Sequence, residues 1–260
     1  MDIRKALIIH SSGKRGEHER TMKEVRSALK GRKVKSVFVE KGEEKPIHVK
    51  GADIVISIGG DGTFIEAAQL IEDDTPILGV NSDPSTSEGA HAMATRHDFR
   101  KKLDLVLDGD FSMEKWTRLR PILGKRKLPL SLNEIFVGAE HLFNTSRYAI
   151  TFHDRTEDQK SSGVLVATGC GSTAWYASAG GRPFSKMAHE GRFIVREPYC
   201  GHLVCGRIVQ GIFKDGESIS IGSKMIDGIV VVDSAKAFPF PKKSVVRIEI
   251  SGKPLHVIVF

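Results

Sequence analysis

Cysteine is scarce in this 260-residue sequence, with three residues, an odd number. No disulfide framework is visible in so few, and a reducing cytoplasm is the default compartment. Aromatic residues are also sparse, 7% of the chain, with two Trp and three Tyr. That leaves little for stacking on bases, and no RNP, KH or zinc-finger pattern appears, so no nucleic-acid partner is expected. Long apolar runs are missing. Nothing approaches the roughly 18 residues that span a bilayer, and the opening MDIRKALIIHSSG has too short an apolar stretch for a secretory signal. No membrane partner is expected either. Charge of one sign never accumulates into a block, although Lys+Arg number 39 against 32 Asp+Glu, a net charge of +7. A dispersed basic surplus suits an anionic ligand. No G-x-x-x-x-G-K-[ST] loop occurs, which excludes a Walker A site, and no G-x-S-x-G elbow supports Ser-His-Asp catalysis.

What is present is an ordinary globular composition, 40% hydrophobic and 27% charged, enough for a sizeable core. The length allows one large domain or two modest ones. The first third alternates strand and helix signals. Lys5 to His10, Val34 to Glu40, Asp53 to Ile58 and Pro76 to Val80 read as strands. Glu17 to Lys30 reads as an amphipathic helix with Met22, Val25, Ala28 and Leu29 on one side. Phe64 to Glu72 and His97 to Leu107 read as further helices. Such alternation predicts a parallel sheet with helices on its faces. From about Phe111 the helical period fades and short β-rich runs follow, from WTRLRPIL to the final PLHVIVF, separated by Gly, Pro, Asp and Lys turns. The expected architecture is α/β followed by β: a parallel α/β domain over residues 1–110 and a β-sandwich-like domain over 111–260.

The most informative segment is Ile54 to Ala68. A buried strand runs into Gly59-Gly60-Asp61-Gly62-Thr63 and then a helix. Glycines let phosphates approach the main-chain N–H groups, and the helix adds donors and the positive end of its dipole. A carboxylate among phosphates is costly unless it binds a metal or takes up a proton, which makes Asp61 a candidate base for a hydroxyl nucleophile. The bland alternative is a tight turn with Asp61 and Thr63 as caps. In Ser11 to Gly16, Lys14 and Arg15 follow the first strand and are candidates for reaching a phosphate, although each taken alone reads as part of a solvated loop. A second cluster, Thr168-Gly169-Cys170-Gly171-Ser172-Thr173-Ala174, matches G-x-G-x-x-A but lies in a β-rich region, so a plain strand–helix turn remains open. His189, Cys200, His202 and Cys205 invite a zinc reading, but no second ligand pair follows at finger-like spacing, and they are expected to be ordinary buried or surface residues.

Taken together, the two clusters resemble the NAD kinase family, whose members carry GGDGT, then Asn-Glu, then a TGSTAY-like segment. Here these read Gly59 to Thr63, Asn133-Glu134, and Thr168 to Trp175. Gly79 to Pro84, Ser161-Ser162-Gly163 and Ala174-Trp175 look closer to the mitochondrial-type branch. The resemblance implies phosphoryl transfer from ATP, with Mg2+, to the adenosine-ribose 2′-hydroxyl of NAD, giving NADP. It implies Asp61 as the general base, with Gly59, Gly60, Gly62 and Thr63 holding phosphate. Asn81, Asn133, Glu134, Ser172, Thr173, Ala174 and Trp175 would contact the dinucleotide, and no protein-borne metal cluster is implied. Trp175 stands where the common pattern has Tyr, and Ser162 where it has Asp. Asp227-Gly228 matches a later Asp-Gly element or is an ordinary turn. A homodimer or homotetramer is implied. A diacylglycerol- or sphingosine-type lipid kinase shares the GGDGT turn, and a nucleotide sensor without catalysis is the rival from another class.

Overall fold

The computed structural model describes residues 3–13, 16–141, 143–202 and 205–260. Two compact units result, Met1–Lys115 with Leu255–Phe260, and Trp116–Pro254.

In the first unit the apolar runs of Lys5–His10, Ile54–Gly59 and Ile77–Asn81 become strands buried on both faces, as inner parallel strands require. The order is β1 (Lys5–His10), α1 (Glu17–Gly31), β2 (Lys35–Glu40), α2 (Pro46–Val49), β3 (Ile54–Gly59), α3 (Asp61–Leu70), β4 (Ile77–Asn81), β5 (Ala94–Thr95), α4 (Phe99–Asp108) and β6 (Ser112–Trp116). β1 pairs in parallel with β2 and β3, and β3 in parallel with β4. Helices α1 and α4 cover one face: Val25, Ala28 and Leu29 join Phe99, Leu103 and Val106 over Ile8, Ile54, Ile56 and Ile58. Helix α4 stops where Gly109 takes a left-handed conformation.

The second unit contains β7 (Leu119–Leu123), β8 (Arg126–Lys127), β9 (Glu134–Ala139), β10 (Ser146–Phe152), β11 (Arg155–Ser161), β12 (Val164–Ala167), α5 (Trp175–Ser178), β13 (Gly191–Val195), β14 (Gln210–Phe213), β15 (Ser218–Ser223), β16 (Gly228–Val232), β17 (Lys236–Pro239) and β18 (Val245–Ile250). They form two six-stranded sheets, ordered β11-β10-β15-β18-β7-β8 and β14-β13-β12-β9-β16-β17. The pairings within both are antiparallel. Tyr148, Ile150, Ile219 and Ile221 of one sheet interleave with Ile135, Val137, Val166 and Phe193 of the other in one apolar core.

Three expectations need correction. The final run, expected in the second unit, is β19 (Leu255–Val259), and it lies in the first sheet between β4 and β6. Its continuous apolar character suits a strand buried on both faces better than a half-exposed sandwich strand. The helix expected from Phe64 starts three residues earlier, at Asp61. Cys200 and Cys205, expected to be ordinary residues in a chain with no visible disulfide, are joined by one. Their backbones pair in a narrow antiparallel bridge that brings the thiols together, a closeness that spacing alone does not reveal.

Candidate active site

In the first unit, the loops after β1, β3 and β4 meet at the carboxyl end of the parallel strands, where α/β sheets place ligands. The backbone ties them: Ser11 N–H donates to the Ile58 carbonyl at 3.0 Å and Ser82 N–H to the Gly59 carbonyl at 3.2 Å. Gly59 must be glycine, because a Cβ there would lie 2.3 Å from Thr63 Oγ1. The next residue, Gly60, is the N-cap of α3. Its carbonyl accepts from the N–H groups of Thr63 and Phe64 at 3.0 and 3.3 Å. The N–H groups of Asp61 and Gly62 therefore stand at the helix start without an acceptor inside the helix, beside the positive end of its dipole.

Asp61 is not a helix cap. No side-chain cap bond exists at this end of α3. Its Oδ1 instead accepts from His91 twice, from ring Nδ1 at 2.9 Å and from the backbone N–H at 2.9 Å. Partial burial disfavours the charged carboxylate, but the His91 hydrogen bonds and charge, with help from the Ala90 backbone, outweigh it and hold the pKa at about 2. Asp61 is thus ionised throughout the neutral range. Asn81 is 5% exposed and engages its amide within its own loop, donating to the Ser87 carbonyl and accepting from the Asp83 N–H at 2.9 and 3.1 Å.

In the second unit, Glu134 opens β9, between β12 and β16, and Asn133 immediately precedes it. Asp233, at the turn after β16, organises them. Its Oδ1 accepts from Ser131 Oγ at 2.7 Å, Asn133 N–H at 2.8 Å and Glu134 N–H at 3.2 Å, and its Oδ2 accepts from Leu132 N–H at 3.0 Å. Asp233 and Ser234 both adopt φ near +52°, an uncommon conformation for non-glycine residues that the fold maintains here. Ser234 Oγ donates to Glu134 Oε1 at 3.0 Å. The buried Glu134 Oε2 and Asn133 Oδ1 have no hydrogen-bond partner among the described residues. Burial, followed by the nearby Asp233 charge, raises the Glu134 pKa to about 7.

The second glycine cluster packs against the same pair. Thr168 N–H donates to the Asn133 carbonyl at 2.9 Å, and Thr168 Oγ1 donates to the Leu132 carbonyl. A Cβ at Gly171 would stand 2.2 Å from the Asn133 carbonyl oxygen, so only glycine permits this approach. The Ser172 hydroxyl is fully buried and bonds Gly169 and Phe184, which fixes the loop. Thr173 and Ala174 are exposed, and Trp175 is half-buried. The Trp175 ring stacks on Phe136 at 5.2 Å, and the Arg196 guanidinium lies 5.2 Å from its centroid.

Comparison with known proteins decides the family. Residues 6–111 match the model of the ATP-NAD kinase N-terminal domain. A "Probable NADH kinase" of Oryza sativa subsp. japonica is 30% identical over 241 residues, 84% of this chain and 74% of that protein. An "NAD kinase" of Syntrophotalea carbinolica is 32% identical over 228 residues, 78% of this chain and 74% of that protein. The chain belongs to the NAD kinase family. The fold agrees: the crystal structure of an NAD kinase from Archaeoglobus fulgidus in complex with ATP superposes with a TM-score of 0.79, at 23% identity over 97% of this chain and 92% of that one.

Within this NAD kinase, the structure brings Gly59, Gly60, Asp61, Gly62 and Thr63 together at one helix start, and Asn133, Glu134 and the Thr168–Gly171 turn around one strand end. Lys14 and Arg15 lie outside the described residues. Two residues escaped the sequence reading. His91 lies thirty positions beyond its partner, and only the fold shows the pairing. Asp233 follows the strand Gly228–Val232, but the Asp-Gly match drew the reading to Asp227 instead. The Asp227 carboxylate accepts from Asn144 Nδ2 at 3.1 Å.

Proposed function

We infer that the protein is an ATP-dependent NAD kinase, which transfers the γ-phosphate of ATP to the adenosine-ribose 2′-hydroxyl of NAD and yields NADP. The observation that carries the chemistry is Asp61, an ionised carboxylate on the first turn of the helix that follows a glycine phosphate loop. Phosphoryl transfer through a loose transition state needs mainly positioning and charge neutralisation. Proton removal from the hydroxyl then comes late, and a permanently ionised acceptor held in one orientation suits that step, weak base though it is.

In this reading Gly59, Gly60, Gly62 and Thr63 hold phosphate, and Lys14 and Arg15 assist from the loop after β1. Mg2+ enters on the triphosphate as part of the substrate. Such an ion is carried mostly by phosphate oxygens and water. Asn133 and Glu134, with their unmet acceptors, bond the dinucleotide. Trp175 supplies a flat apolar wall beside Ser172, Thr173 and Ala174, and Asn81 contacts the dinucleotide from the loop that its amide also holds. The Gly79–Pro84 and Ser161–Gly163 segments support the mitochondrial-type branch. A homodimer or homotetramer is the proposed assembly, to be read by light scattering. The proposed compartment is the cytoplasm. The thiol state of Cys200 and Cys205 trapped in cells is its gauge, since a reducing compartment keeps such pairs open.

The test is NADP formation by the purified protein with ATP, Mg2+ and NAD, for wild type and Asp61→Asn. Wild type is expected to turn over. Asp61→Asn is expected to lose about 10²–10⁴-fold in kcat, the usual worth of acid–base help, with an unchanged circular dichroism spectrum. An inactive wild type that still binds NAD supports the sensor reading. A folded Asp61→Asn with a kcat close to wild type removes Asp61 from the chemistry.

A further inference from the structure

His91 is 3% exposed, yet it is a polar residue in a loop, and one residue supplies both of the 2.9 Å bonds to Asp61 Oδ1. Several features fix it there. Its ring stacks on Phe64, with centroids 5.4 Å apart and planes 23° from parallel. Phe64 is 2% exposed and sits in the same first turns of α3 as Asp61. On the other side, Gly79 opens space for the segment: a Cβ there would lie 2.7 Å from the His91 carbonyl oxygen and 2.9 Å from the Phe64 ring. Met93 N–H donates to the Gly79 carbonyl at 2.9 Å. The Asn81 amide pins the intervening loop at Asp83 and Ser87. The loop from Asn81 to His91 therefore delivers one imidazole to one carboxylate oxygen.

We propose that His91 is a positioning residue for phosphoryl transfer, holding the Asp61 carboxylate in the orientation in which it meets the acceptor hydroxyl. The proposal rests on the role of Asp61 given above. A carboxylate offers only acceptors, so His91 Nδ1 carries the proton in this bond. With ring and backbone donors on the same oxygen, rotation about the Asp61 side chain would break both bonds together. Lys41 Nζ, which lies 3.3 Å from where a Gly62 Cβ would be, pairs with Glu66 in α3 at 3.2 Å. Among the described residues, His91 is the ionisable side chain paired with Asp61, at 2.9 Å. The depressed pKa of Asp61 follows from the same contacts.

Two substitutions separate positioning from mere packing. His91→Leu fills the space against Phe64 without a side-chain donor. His91→Asn retains an N–H donor near the place of Nδ1. His91→Leu is expected to lower kcat by about 10- to 100-fold, as loss of orientation does, while KM for NAD and for ATP stays within about twofold. The Asp61 carboxyl resonance, assigned in ¹³C-aspartate-labelled full-length protein by comparison with Asp61→Asn, is expected to titrate more than about one unit higher in His91→Leu. His91→Asn is expected to restore much of both. Wild-type kcat together with an unchanged Asp61 titration in His91→Leu would overturn the proposal, as would an ordinary carboxyl titration in wild type, which needs no variant to fold. Failure of the underlying reading looks different, because Asp61→Asn itself then keeps its kcat.

Discussion

Glu134 is a buried carboxyl beside a buried carboxylate, and its pKa of about 7 lies above its ordinary 4.5. The folded protein holds this proton more tightly than the unfolded chain does. Its contribution to stability is therefore complete below about pH 4.5 and lost as pH rises through about 7. Gln at this position never ionises. Relative to wild type, Glu134→Gln should gain roughly 2–4 kcal/mol of stability between about pH 4.5 and pH 8.5, each pKa unit being worth about 1.4 kcal/mol. Urea unfolding at both pH values measures the change, and an equal difference at both would mean that Glu134 titrates normally. Near neutral pH the same group passes from hydroxyl donor to acceptor-only carboxylate, which changes what a ligand hydroxyl can offer it. The site was partly legible at this scale. Asp61 stands in a glycine-rich strand–helix turn that suggests its chemistry locally, whereas Asn133 and Glu134 came to notice only through the family resemblance. His91 and Asp233 cannot be read so, because their partners lie 30 and 100 positions away and neither sits in a recognisable motif.

Among the elements, the hairpin of β16 and β17 does the most for the second unit's site. Its tip carries Asp233, which satisfies three backbone donors and one hydroxyl of Ser131–Glu134 in a buried setting. Asp233→Ala should cost about 3 kcal/mol or more of stability, because buried donors left without an acceptor cost about 1–3 kcal/mol each. It should raise KM for NAD by about tenfold, equivalent to some 1.4 kcal/mol of lost binding, with KM for ATP less affected. Denaturant unfolding and steady-state kinetics check both parts, and unchanged stability would show that water replaces the carboxylate. Element legibility followed periodicity. The parallel strands and α1 were read to within a residue or so because their apolar patterns are long and regular. β8 and β5, two residues each, carry too little pattern to read. β11 is rich in charged side chains, so its strand character comes from pairing with β10 rather than from its own composition. The helix-like stretch after Ala174 condensed to the four residues of α5.

At the scale of the whole molecule, the first unit is built from two separated stretches of chain. Leu255, Val257 and Ile258 of β19 are fully buried, and Val257 pairs with Ile77 of β4 in parallel. Removing residues 255–260 should destabilise that unit by about 5 kcal/mol or more, at roughly 1.5–3 kcal/mol for each buried aliphatic side chain. Limited proteolysis with mass spectrometry should then show new cleavage within 5–115 while 116–254 stays protected. Early cleavage throughout both stretches would count against two separately cored units. Sequence alone placed this strand with its neighbours in the chain, since connectivity is the only guide to sheet membership before contacts are known.

The same strand has a consequence for biosynthesis. A ribosome adds about 5–20 residues per second, so roughly 7–28 seconds separate the emergence of residue 115 from that of residue 255. Throughout that interval the nascent first sheet has β4 exposed along the edge that β19 will fill. The stretch made second is contiguous and can complete its sheets first, so the part translated earliest finishes last. In this chain the order of maturation reverses the order of translation, and the open edge of β4 is the surface that a chaperone or a stray strand would meet during the wait.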